Sequence, residues 1–416
     1  MSSAAPASGP APAAVEPAPA PPDKGWRFAL AILLAAINLR PAVASVGPVL
    51  ADIRADMNLS AAIASLLTAL PVLCFGAGAL VAPRVARRFG SEATMAGVMT
   101  LTATGLLLRL GPTTATLLGG TFLAGASIAV ANVLIPAMVK RHFPHRAGVM
   151  MGLYVSVMGV AASAAAIVTV PIATASPAGW RAGLGVWALP TALAAALWLA
   201  VIARSRRRAA PSDRTTEVPR SLLDDPVAWR VTIFMGLQSL GFYTLLSWLP
   251  SLYRSAGMSP EAAGGLLSLL IVLGAPIALF VPSVLTRAAH QSGWAVGSVA
   301  MTGVGLLGLL LAPTWLPALW ATVLGVGMGV SFPLALTLVV LRSRTAEDAA
   351  QLSAMAQSVG YGLAAVGPYA FGLLHDVSGG WDLPVALLLA LLVPQAIAGL
   401  GAGRPVPVRT TGRRAG

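Results

Sequence analysis

The feature that most constrains this chain is a recurrence of apolar runs, each about as long as a bilayer is thick, separated by short breaks of charge, Pro or Gly. A hydrocarbon core needs about 20 mostly apolar residues per spanning helix. Such runs occur at approximately 26–50, 60–82, 92–110, 114–139, 147–173, 181–203, 229–252, 261–286, 292–312, 316–341, 350–373 and 383–402. A backbone in lipid must satisfy its own polar groups, so each run is read as a helix. Only 10% of residues are charged, against roughly 25% in a soluble domain. The expected fold is therefore an all-α membrane protein with twelve transmembrane helices. Its 43 Gly and 32 Pro fit that solvent, where small residues allow close packing and neighbours satisfy freed backbone groups.

The formal net charge of +13 would suggest a nucleic-acid partner in a soluble protein. Here the basic residues sit in short segments between apolar runs, which makes them a topology signal. If both termini are cytoplasmic, 22 of the 27 Lys and Arg fall on that side, and Arg54, Arg109, Arg181 and Arg254 on the other. Arg40 lies within the first span. The expected location is thus the bacterial inner membrane, multi-pass, with no nucleic-acid partner. Cys74 is the only cysteine, so no intramolecular disulfide can form, and no Cys/His spacing suits a metal.

The chain also repeats itself at an offset of about 200 residues. Gly179-Trp180 recurs as Gly380-Trp381, Arg141 as Arg342, and Pro83 with Arg88 as Pro282 with Arg287. Both copies run in the same orientation, as a parallel repeat of six spans requires. The expected organisation is a disordered Ala/Pro/Ser tail at 1–23, a six-helix bundle at 24–203, a basic linker at 204–228, a second bundle at 229–403 and a tail at 404–416. Twelve spans in two pseudo-symmetric halves can form a complete pathway, so a monomer is expected.

Arg40 is the most informative residue. It stands near the middle of the first span, in Asn38-Leu39-Arg40-Pro41. A charge at that depth costs about 2.5–3.5 kcal/mol on insertion scales. No intramembrane acid matches it, because all 14 Asp and Glu fall in tails, loops or span ends. An unpaired central cation facing a cavity would bind an anion or a polarised acceptor. The alternative is a structural Arg bonded to carbonyls at a helix break set by Pro41 and Pro48. Other polar residues at depth are Asn132 on span four, Gln238 and Tyr243 on span seven, and Gln357 and Tyr361 on span eleven. Together with Asn38 they are candidate solute contacts. Each could equally serve interhelical hydrogen bonding, worth about 0.6 kcal/mol on average.

Several short motifs occur in order on these spans: Asn38-Leu39-Arg40-Pro41 with Ser45-Val46-Gly47-Pro48, Leu67-Thr68-Ala69-Leu70-Pro71-Val72, and Val139-Lys140-Arg141-His142-Phe143. Trp187-Ala188-Leu189-Pro190, Ser247-Trp248-Leu249-Pro250 and Met355-Ala356-Gln357-Ser358-Val359-Gly360-Tyr361 follow. Through them the chain resembles the cyanate and 2-nitroimidazole transporter branch of the major facilitator superfamily, from about residue 37 to 400. The resemblance implies a secondary transporter working by alternating access, with no cofactor and a small-molecule solute that is anionic or electron-rich. The chain has no GxxxxGK[ST] phosphate loop. It also departs from wider superfamily patterns. Pro and Arg87 replace the Gly and acid of the loop after span two. Thr121 replaces the span-four Arg of many drug exporters. The Gly-Pro pattern of fifth-span antiporter motifs is missing.

Two functional readings follow. In the first, Arg40 is the central substrate-binding cation of a small-solute transporter. In the second, a broad apolar cavity selects drugs for export and Arg40 is structural. A membrane enzyme would need a nucleophile, metal or acid/base pair at depth, and none is visible in the sequence.

Overall fold

A computed structural model describes residues 25–206 and 222–408, and every regular element in these ranges is helical. The expected tail at 1–23, most of the linker at 204–228 and residues 409–416 lie outside the described residues. The first half contains α1 (Gly25–Leu39), α2 (Pro41–Ala44), α3 (Leu50–Met57), α4 (Ala61–Phe89), α5 (Ser91–Leu108), α6 (Thr114–His142), α7 (Ala147–Ala175), α8 (Trp180–Gly185) and α9 (Ala188–Arg206). The second contains α10 (Pro226–Ser255), α11 (Pro260–Leu285), α12 (Ser292–Leu311), α13 (Pro317–Arg342), α14 (Ala346–Ser378) and α15 (Asp382–Ala402). The twelve apolar runs map onto these elements in order. Two runs are broken: the first into α1 and α2 with a short 3-10 turn at Gly47–Val49, beyond which α3 follows, and the sixth into α8 and α9.

Among the described residues, ten segments are long and apolar enough to cross a membrane by length and hydropathy alone. The two that fall short, α5 and α14, have specific reasons. Helix α5 opens with Glu92 and carries Thr94, Thr100, Thr102 and Thr104. Each of these hydroxyls donates to its own helix, to Gly90 O, Ala96 O, Val98 O and Thr100 O. Back-bonding of this kind satisfies the hydroxyl inside the segment and makes it tolerable in lipid. Helix α14 opens on the acids Glu347 and Asp348 and carries Ser353, Gln357, Ser358 and Tyr361, most of them turned toward the protein interior.

Within the first half α4 and α5 pack on α6, α5 on α9, and α1 between α7 and α9. The second half repeats the plan, with α11 and α12 on α13 and α10 and α12 on α15. Close packing is set by small residues. A Cβ on Gly105 would meet Ala124 N at 2.7 Å on α6, and one on Gly305, 200 positions later, would meet Leu324 Cγ at 2.6 Å on α13.

The halves meet chiefly along two helix pairs, α4 with α14 and α7 with α11, with α6 also packed on α14. In six-span numbering the two pairs are spans two and eleven, and five and eight, so the internal two-fold exchanges them. The α7–α11 contact is tight at the end nearer the linker. There Gly148 faces Thr286 and Pro282, and Gly152 faces the Leu279 carbonyl. The structure is therefore one in which the halves are pressed together on the linker side.

Candidate functional site

The site begins with the break in the first span. Pro41 has no N–H to continue α1 and its ring disfavours the helix behind it, so α1 stops at Leu39 and Arg40 forms the junction. Beyond it, Val46 N–H turns to the nearer Val43 O, which frees the Ala42 carbonyl. That carbonyl accepts a 2.7 Å bond from Arg109 Nη1. Arg109 Nη2 also donates to Ser45 Oγ at 3.4 Å and to Leu184 O, at the break between α8 and α9, at 3.2 Å. Arg109 is only 1% exposed. Its place at the end of an apolar run groups it with the loop cations. It instead reaches back into the bundle and clamps two broken helices, because freed carbonyls in lipid need donors.

Arg40 is turned the other way. Its Nη1 donates to Tyr243 Oη on α10, across the seam between the halves, at 3.3 Å. Its Cζ lies 6.0 Å from the centre of the Phe332 ring on α13. Tyr243 stands edge-on to Tyr361 of α14 at 6.5 Å, and Tyr361 is tilted against Phe75 of α4 at 5.5 Å. Helices of both halves thus contribute an aromatic wall around one guanidinium. The groups within electrostatic reach of Arg40 are the phenols of Tyr243, Tyr361 and Tyr154. No carboxylate is among them.

A second polar tie crosses the seam beside this wall. Tyr154 Oη on α7 donates to Asn132 Oδ1 on α6 at 3.1 Å. Gln357 Nε2 on α14 donates to the Asn132 backbone carbonyl at 3.1 Å and to Ser353 Oγ at 2.7 Å. Five of the seven candidate residues, Arg40, Asn132, Tyr243, Gln357 and Tyr361, therefore belong to this seam region. The other two lie elsewhere. Asn38 is occupied within the first half, donating to Leu34 O and Pro190 O and accepting from Thr191 Oγ1. Gln238 lies inside the second half, accepting from Ser239 and lining a cavity of about 20 Å³ with Thr302, Ser331 and Gln395. That is room for about one water. Position within an apolar run tells the depth of these side chains and not the direction in which they point. It also left Phe75 and Phe332 unremarked, because an aromatic in an apolar run carries no signal of its own.

On the face away from the linker, Asp56 accepts from Arg181 Nη1 at 2.7 Å and from Trp180 Nε1 at 3.1 Å. The Arg181 guanidinium and the Trp180 indole hold the Asp56 carboxyl below its usual range. These contacts tie the end of α3 to the start of α8.

Chemically, a guanidinium offers five donors in a planar fork. One is used by the Tyr243 hydroxyl, so others remain for a ligand. The arrangement suits a small group with two acceptor atoms or a compact negative charge, bounded by rings that exclude water.

Comparison with known proteins agrees with this architecture. The family description "Major Facilitator Superfamily" matches residues 28–368. The 2-nitroimidazole transporter of Escherichia coli (strain K12) is 38% identical over 91% of this chain and 95% of its own length. The cyanate transport protein CynX of the same organism is 34% identical over 85% of this chain and 91% of its own. Among solved structures, the proton:xylose symporter XylE aligns with a TM-score of 0.72 over 90% of this chain and 95% of that one, at 13% identity, a likeness of fold.

Proposed function

Because the chain belongs to the major facilitator superfamily and is a multi-pass membrane transporter, we propose that it moves a small anionic or electron-rich polar solute, cyanate- or nitroimidazole-like, by alternating access, with Arg40 as the central solute-binding cation. The observation that carries this reading is the division of labour between two arginines, Arg109 buried and Arg40 half-buried. Arg109 supplies the donors that the broken helices need, which leaves Arg40 free of that role and aimed at the seam. A cation held there without a carboxylate costs several kcal/mol unless something pairs with it, and a transported anion is the partner that chemistry favours. Tyr243, Tyr361, Asn132 and Gln357 complete the site from both halves, so solute contacts change when the halves rock. The two two-fold-related contacts between halves, α4–α14 and α7–α11, support such rocking. The Lys/Arg bias supports a cytoplasmic linker and cytoplasmic termini in a bacterial inner membrane, and the complete two-half pathway supports a monomer.

The competing reading is an exporter of apolar drugs in which Phe75, Phe332 and the tyrosines form a permissive cavity. Uptake of cyanate and 2-nitroimidazole by proteoliposomes separates the two. Each charge-assisted hydrogen bond to a ligand is worth about 1.5–3 kcal/mol, so Arg40→Ala is expected to lower transport at sub-saturating solute by about 100-fold. Wild-type-like transport by Arg40→Ala, or transport of large apolar compounds alone, would overturn the proposal.

A further inference from the structure

Past Tyr243, one face of α10 stays polar to the end of the helix. Ser247, Arg254 and Ser255 are exposed and Ser251 is partly buried, whereas Thr244, Leu245, Leu249, Leu252 and Tyr253 are buried. At 3.6 residues per turn Arg254 returns to within about 20° of Tyr243, and it stands about 16 Å further along the axis, away from the linker. Tyr243 meets Arg40 of the other half, so the stripe starts at the seam and runs from it toward the face opposite the linker. Arg254, in the last turn of α10 and exposed, is a charge that faces water and not lipid. Ser247 Oγ and Ser255 Oγ donate back to Tyr243 O and Leu252 O, which leaves the guanidinium as the chief donor on the stripe. Ser251, Arg254, Ser255 and Met258 line a shallow, open depression at the end of α10.

Among the described residues Arg254 has no ion-pair partner. The ion pairs among the described residues are His142–Glu92, Arg181–Asp56 and His375–Asp376. No Asp or Glu lies within five positions of Arg254 in the chain, whereas Arg54, 200 positions earlier, has Asp52 and Asp56 beside it. The repeat has thus kept the cation at both mouths and kept the flanking acids at one.

We propose that Arg254 is an entrance site for the anionic solute, a first cation that captures it on the face opposite the linker and delivers it along the α10 stripe to Arg40. The proposal rests on the reading of Arg40 as the central anion site. Its signature is kinetic. A capture charge raises the association rate and is screened by salt, within a Debye length of about 10 Å at 0.1 M.

The test is stopped-flow tryptophan fluorescence of cyanate binding to detergent-purified protein, which presents both faces to one solution, with nitrate in its place where cyanate is not bound. Arg254→Gln is expected to slow association about 5-fold at low ionic strength and to converge with wild type at high salt, as steering effects do. A Cys74→Ser, Arg254→Cys protein should regain the rate on modification with a cationic ethylammonium thiosulfonate and not with the anionic sulfonatoethyl reagent. Equal recovery with both reagents, or an unchanged rate and salt dependence in Arg254→Gln alongside Arg40-dependent binding, would overturn the entrance site and leave the central site standing. Absence of any Arg40-dependent anion binding would overturn both.

Discussion

Replacing Gly152 by Ala should pry the two halves apart on the linker side. A Cβ built on Gly152 lies 2.4 Å from the Leu279 carbonyl oxygen, 3.3 Å from its carbonyl carbon and 3.5 Å from Ala278 O. These are backbone atoms of α11 and cannot rotate out of the way, so α7 and α11 must separate by roughly 1 Å to restore ordinary contact. Overpacking of this kind costs about 1–3 kcal/mol. The cost falls on the conformation with the linker side closed and not on one in which these helices have parted. It therefore shifts that two-state balance by about 5- to 150-fold. The chain has a single cysteine, Cys74, so a Cys74→Ser background accepts spin labels at exposed Arg88 and Arg287, which the repeat places at equivalent positions in the two halves. Pulsed EPR should show the longer-distance population rising in Gly152→Ala. Gly76→Ala is the control, because its added methyl would meet Ser358 O at 3.6 Å, an ordinary contact, and the distribution should stay as in wild type. An unchanged distribution in folded Gly152→Ala, or an equal shift in Gly76→Ala, refutes the argument that this interface is a packed gate.

Two further outcomes are expected. Arg109→Ala should destabilise the first half by about 3–5 kcal/mol, since it strips a buried cation from the carbonyls of Ala42 and Leu184; Arg109→Lys should recover part of this, and thermal unfolding in detergent reads both. The Asp56 carboxyl is held below its ordinary value by Arg181 and Trp180, so its contribution is present above the unfolded pKa of about 3.9 and is lost as pH falls through the lower folded value. The difference in melting temperature between wild type and Asp56→Asn should be constant above about pH 5 and vanish on acidification; a difference that grows toward low pH would reverse the sign of the assignment.

Much of the fold can be read from the chain because lipid imposes a length rule and a charge rule at once. Span order, the two-half repeat and the unusual depth of Arg40 all follow from where apolar runs start, stop and carry charge. The site is less legible because a bilayer removes the contrast that marks a buried face. A helix apolar on every side gives no azimuth, so Asn38 and Gln238 looked the same as Tyr243 although they point into their own halves. Arg109 was hidden for a related reason. At the edge of an apolar run, in Leu107-Leu108-Arg109-Leu110, a long side chain can reach either solvent or core, and its destination depends on carbonyls freed 67 and 75 residues away in sequence. The helix breaks themselves were partly visible, since Pro41 and Pro48 announce the first and Pro190, in the first turn of α9, stands at the second.

The most direct test of the central claim is ligand-induced thermal stabilisation of purified wild type, Arg40→Lys and Arg40→Ala against cyanate, nitrate and 2-nitroimidazole. A ligand at 100 times its dissociation constant stabilises by about 2.7 kcal/mol. The account expects stabilisation of wild type by at least one of these solutes, reduced in Arg40→Lys and absent in Arg40→Ala. Equal stabilisation of wild type and Arg40→Ala, or stabilisation by large apolar compounds alone, would contradict it.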